Sequence, residues 1–142
     1  MLLHLIVSAG MVLVTVIVHG GGWLFWGGWF WIEAKEERAH HVPALSLRSL
    51  FFTLFMVGAL FALHGLEIWI YAFAVQGDRG HSTALETAIY FSTISYAGIG
   101  YDDRYIDPAW RLVGAIEGID GLLLLGWSTA FFVTMVTRLG RG

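Results

Sequence analysis

The sequence predicts an all-α membrane protein: three transmembrane helices, with a short re-entrant helix and a glycine-containing loop between the second and third. Three observations carry this. The 142 residues are 57% hydrophobic and only 13% charged, with mean hydropathy +0.69, too apolar for a soluble domain of this size. Long apolar runs recur at Leu2–Trp31, Leu47–Val75 and Pro108–Arg138. The apolar segment Ser82–Ile94 between the last two is too short to cross a bilayer.

Leu2 to Val18 covers about 25 Å at 1.5 Å per residue. That is the lower limit of a span, so the helix is expected to run on through His19 and the glycines Gly20 to Gly22. Trp23, Trp26, Trp29 and Trp31 then fall near one membrane face, as an aromatic belt does. MLLHLIVSAG has no basic leader, so it reads as a retained helix rather than a cleaved signal peptide. Pro108 suits the first turn of the third span. Ser82 or Thr83 is expected to cap the re-entrant helix, with Glu86 in its first turns. Residues 1–46 form a peripheral helix with its cytoplasmic linker, and residues 47–142 a separate unit.

Lys35, Arg38, Arg48, Arg138 and Arg141 lie on one side of these spans, and Arg79, Arg104 and Arg111 on the other. This modest excess puts the N-terminus outside, the Glu33–Arg48 loop inside, the 91–103 loop outside and the C-terminus in the cytoplasm. The net charge of −3 includes no basic block for nucleic acid. There are no cysteines to form disulfides or thiolate metal sites. No His/Glu spacing completes a metal site, His4 and His19 read as satisfied membrane histidines, and His40 and His41 as surface. No nucleophile–base pair or small-molecule substrate site is evident, so no enzyme activity is assigned. No arginine series marks a voltage sensor.

The segment FSTISYAGIGYDD, Phe91–Asp103, carries the functional reading. Backbone carbonyls replace a cation's hydration shell only where the chain is crowded round an axis and free of inward side chains. Glycine alternating with larger residues permits that. No single loop can encircle an ion, so several copies of the chain in the lipid bilayer are expected to share one axis, and the family resemblance given next implies a homotetramer. The stretch resembles the pore loop of the potassium-channel superfamily. From Leu47 to Leu139 the chain resembles a bacterial two-helix pore module of the ion channel family. Ala88 to Thr93 match the pore helix, Gly100-Tyr101 the filter core and Asp103 the acid that follows. Trp110-Arg111-Leu112 opens the inner helix, and Gly121 sits at a common hinge position.

The resemblance implies a tetrameric cation channel of the cell membrane, the bacterial inner membrane. Gly98, Ile99, Gly100, Tyr101 and Asp102 would form the filter, supported by Tyr90, Phe91 and Ile94. K+ or Na+ would bind the filter carbonyls, with no other cofactor. Gly98 stands where the family's filter threonine stands, Asp102 where its second glycine stands, and Ile94 where some relatives have a glutamate. These departures favour sodium permeation or weak discrimination, so potassium preference and weak selectivity stand side by side. Restoring Gly98→Thr with Asp102→Gly is expected to raise potassium selectivity. Asp102 and Asp103 place eight carboxylates at a tetramer's mouth, a field that draws cations. Asp103 has a second reading, a hydrogen bond back to Tyr90. A non-conducting sensor or subunit with a degenerate filter is the alternative function.

Glu67, Glu117 and Asp120 are acids within spans, costly in lipid and functional by default. Counted from the outer surface, Glu67 and Glu117 share a depth of about 12 Å, and His64 and Asp120 about 17 Å. The expectation is that these pairs meet, as helix glue or as a protonation-sensitive gate or cavity-facing cation site at Asp120, with Gly118, Gly121 and Gly126 allowing close helix contact or bending. At least one of the acids is then expected to be protonated near neutral pH.

Overall fold

The computed structural model describes residues 2–39, 46–77, 85–100 and 108–139. Helices α1 (Leu2–Ala39), α2 (Leu47–Gly77) and α4 (Arg111–Leu139) enclose the short α3 (Leu85–Tyr96), and a 3₁₀ turn at Pro108–Trp110 leads into α4. There is no strand among the described residues. The segments Leu2–Ile32, Leu47–Gln76 and Arg111–Thr137 are long and apolar enough to cross a membrane. At 31 residues the first is about 46 Å long, more than the ~30 Å hydrocarbon core, so it tilts or overhangs. With 12 residues, α3 reaches about 18 Å and cannot cross.

The expected α1 continues through its glycines without a break. Ser46 opens α2 as an N-cap, its Oγ accepting from the Ser49 amide at 3.1 Å. Ser82 and Thr83, the expected caps of α3, lie outside the described residues.

Within the chain, α1 packs against both α2 and α4. Ser8, Thr15, His19 and Phe30 are buried, and His4, Met11, Gly22 and Trp26 on the same face are half-buried. Their spacing of three or four residues is one stripe of a helix, and it packs on α2 and α4. The aromatic belt is only half present. Trp29 and Trp31 stay 45% and 50% exposed, but Trp23 packs on Phe131 and Trp26 on Phe30 and Phe55.

The interior is layered. One apolar cluster joins Tyr71, Val75, Phe91, Trp110 and Val113. Another joins Phe30, Phe52, Met56 and Met135 at the opposite end. Between them lies a band of buried polar side chains: Thr15, His19, Glu67, Ser92, Glu117, Asp120 and Ser128.

α3 lies in a groove cut by missing side chains. A Cβ on Gly121 would sit 2.2 Å from the Tyr96 carbonyl oxygen, and one on Gly118 would sit 3.0 Å from that of Ser95. Gly121 thus serves close packing, because backbone cannot yield as a side-chain tip does. Gly121→Ala is therefore expected to destabilise the protein by about 2–3 kcal/mol or more. Gly10→Ala, where nothing lies within 4 Å, is expected to be neutral or gain up to ~1 kcal/mol from helix propensity. Thermal unfolding of the two purified variants checks the pair.

Candidate functional site: the pore-helix turn and the buried polar band

α3 ends in a specific turn. The Gly98 amide donates to the Ser95 carbonyl at 3.0 Å, and the Ile99 amide to the Ile94 carbonyl at 3.1 Å. Gly98 has φ +68°. This is a Schellman cap with glycine at the left-handed position. Gly100 is also left-handed, at φ +99°, and Ile99 projects outward, 77% exposed in the single chain. Gly98 is therefore placed by helix termination, at the left-handed position of the cap. Gly98→Thr would force a β-branched residue into a strained backbone region, so it is a poor way to restore the filter. Tyr101, Asp102 and Asp103 lie outside the described residues.

The supporting residues divide. Phe91 is buried in the outer apolar cluster, and its ring fills the space that a side chain at Gly114 would need. Ile94 is half-buried and supplies the capping carbonyl. Tyr90 points away from the bundle, 63% exposed.

The three membrane acids are buried, at 0% exposure for Glu67 and Glu117 and 3% for Asp120. Their partners are not those counted from depth. Glu67 Oε1 lies 2.8 Å from His19 Nδ1, and Oε2 lies 3.2 Å from His64 Nδ1 and accepts from the Tyr96 hydroxyl. His64 Nε2 is 2.9 Å from Ser128 Oγ, so His64 meets Glu67, Tyr96 and Ser128 rather than Asp120. Asp120 Oδ2 instead accepts from Thr15 at 2.6 Å and Tyr71 at 3.1 Å. Glu117 bonds Ser92 rather than Glu67. Depth along a helix ignores direction around it, and it ignored two other helices. α3 places Ser92 and Tyr96 beside the acids, and α1 places Thr15 and His19 there.

Sequence reasoning therefore missed Thr15, His19, Tyr71, Ser92, Tyr96 and Ser128. A signal existed for some. Thr15 and His19 share the α1 stripe, Tyr71 follows Glu67 by one helical turn, and Tyr96 follows Ser92 by one. What each side chain faces lay beyond periodicity.

A family model described as "Ion channel" matches residues 49–138, more than half of the chain. The chain belongs to the ion channel family. No curated protein and no solved structure matches it. The match covers α3 and nearly all of α2 and α4, and it begins after α1. Membership together with three apolar spans makes this an ion-channel membrane protein. α3, held between α2 and α4, is the re-entrant helix of that pore module.

The acids differ in how fully they are satisfied. Glu67 has three donors or ring nitrogens around it. Glu117 has Ser92, and its Oε2 is buried without a partner. Ser92 Oγ also lies 3.1 Å from the Ile68 carbonyl. One hydroxyl proton serves one acceptor at a time, so a neutral partner able to donate suits the Glu117 position. Glu117→Gln is expected to unfold within about 1 kcal/mol of wild type. Glu67→Gln would replace one acceptor oxygen with a donor among donors and is expected to cost about 1–3 kcal/mol. Thermal unfolding of both variants in the same detergent makes the comparison.

Proposed function

We propose that four copies of the chain form a passive cation pore in a cell membrane, the bacterial inner membrane, with the N-terminus outside and the C-terminus cytoplasmic. The carbonyls of Gly98 to Asp102 line the axis, Asp102 and Asp103 form the outer mouth, and K+ and Na+ permeate. The observation that carries this is the left-handed turn Gly98–Gly100 at the end of a re-entrant helix, inside the matched pore module. Two left-handed glycines at a helix end let the chain turn sharply without inward side chains at those two positions, which a carbonyl-lined filter needs. The carbonyl end of α3 faces that loop with the partial negative charge of a helix C-terminus, which favours cations.

A single chain leaves suitable surface for neighbours. Ile119, Leu122, Leu123 and Trp127 on α4 are 62%, 57%, 69% and 47% exposed, and a tetramer would give this face partners or a pore lining. Discrimination is set at the ends of the filter. Asp102 stands where a left-handed glycine completes the family's outermost carbonyl ring, and asparagine and aspartate adopt that backbone less readily than glycine. Weak selectivity between K+ and Na+ follows.

Reversal potentials of the purified protein in planar bilayers test both points. Wild type is expected to pass K+ and Na+ with a small permeability ratio, and Asp102→Gly alone should raise the ratio in favour of K+. Strong sodium rejection by wild type would overturn the selectivity argument. A tetramer that stays silent in bilayers would favour the non-conducting reading.

A further inference from the structure

Two imidazoles and a carboxylate converge inside the bundle from different helices: His19 on α1, and His64 and Glu67 on α2. A ligand atom from each lies within 4.8 Å of the others, with His19 and Glu67 buried and His64 half-buried. The nitrogen–oxygen separations are 2.8 Å and 3.2 Å. An ion about 2.0–2.1 Å from each ligand in a tetrahedron sets such atoms about 3.3 Å apart. The Tyr96 hydroxyl, 2.8 Å from His64 Nδ1 and bonded to Glu67, brings a fourth polar atom beside these three.

The far side of the two rings is the second observation. His64 Nε2 is 2.9 Å and His19 Nε2 is 3.3 Å from the same Ser128 Oγ. A serine hydroxyl has one proton and two lone pairs. If both Nδ1 atoms carry hydrogen toward Glu67, both Nε2 atoms are acceptors and compete for that single proton. If a cation takes both Nδ1 atoms, both Nε2 atoms carry hydrogen and donate to the two lone pairs of one oxygen. Ser128 then anchors both ligating rings, as outer-shell partners of metal-bound histidines do. A cleft of about 550 Å³ between α2, α3 and α4, bordered by His64, Tyr96 and Ser128, gives access to the cluster.

We propose that His19, His64 and Glu67, with the Tyr96 hydroxyl beside them and Ser128 orienting the rings, form a binding site for a divalent transition metal of the zinc type. Imidazole nitrogen with one carboxylate suits zinc better than calcium or magnesium, which take mainly oxygen. The ion fastens α1 to α2 next to the end of the pore helix. The site stands on its own geometry, whatever the pore conducts.

The test uses the full chain in detergent, stripped of metal with EDTA. Zinc chloride is titrated by calorimetry and cobalt chloride by visible absorption. One ion per chain and the intense visible band of four-coordinate cobalt are expected. His19→Asn and His64→Asn keep a polar amide near the Nδ1 position, and each should weaken zinc at least about tenfold. Ser128→Ala leaves every ligand in place and should weaken it about 10–100-fold. Should His19→Asn fail to assemble, His64→Asn and Ser128→Ala decide. No stoichiometric zinc binding by wild type would overturn the proposal. So would an affinity unchanged in the histidine and serine variants but lost in Asp102→Asn, which would place the ion at the mouth.

Discussion

The arrangement of this bundle depends on burying three carboxyl groups where neither water nor lipid can solvate them. A carboxyl in hydrocarbon must find hydrogen-bond partners within the protein. Each one here finds them on another helix. Asp120 of α4 draws in Thr15 of α1 and Tyr71 of α2. Glu67 of α2 draws in His19 of α1 and Tyr96 of α3. Glu117 of α4 draws in Ser92 of α3. The apolar clusters above and below this band supply packing. Packing against lipid-like surfaces discriminates weakly between rotations of a helix about its own axis. The polar contacts fix those rotations.

The second constraint is steric. The backbone of α3 at Ser95 and Tyr96 approaches α4 so closely that Gly118 and Gly121 admit no side chain without a shift. This contact and the Tyr96–Glu67 bond hold the end of the pore helix from two sides. The Schellman turn at Gly98 follows directly. The entrance to the proposed filter is thus defined by a rigid helix end.

α1 lies outside the family match yet supplies Thr15 and His19 to the buried band. It gives this chain's pore module partners that a two-helix module lacks. A line of hydrogen bonds runs from His19 of α1 through Glu67 to Tyr96, two residues before the capping glycine. That route gives α1 a physical connection to the pore-helix end.

Apolar length and the brevity of the Ser82–Ile94 segment pointed to three spans and a re-entrant helix, because the thickness of a bilayer and the rise of a helix are fixed quantities. The FSTISYAGIGYDD stretch pointed to an ion pathway through its resemblance to the pore loop of the potassium-channel superfamily. That acids such as Glu67, Glu117 and Asp120 would need partners was also legible, since their cost in lipid does not depend on the fold. Which partners they take was not. Depth can be counted along a sequence, but the direction a side chain faces depends on how neighbouring helices are rotated. That rotation is set jointly by four helices. Only the tertiary structure therefore turned His19 from an isolated histidine into a partner of Glu67. It also decided for close contact at Gly121, and made Gly98 a helix cap.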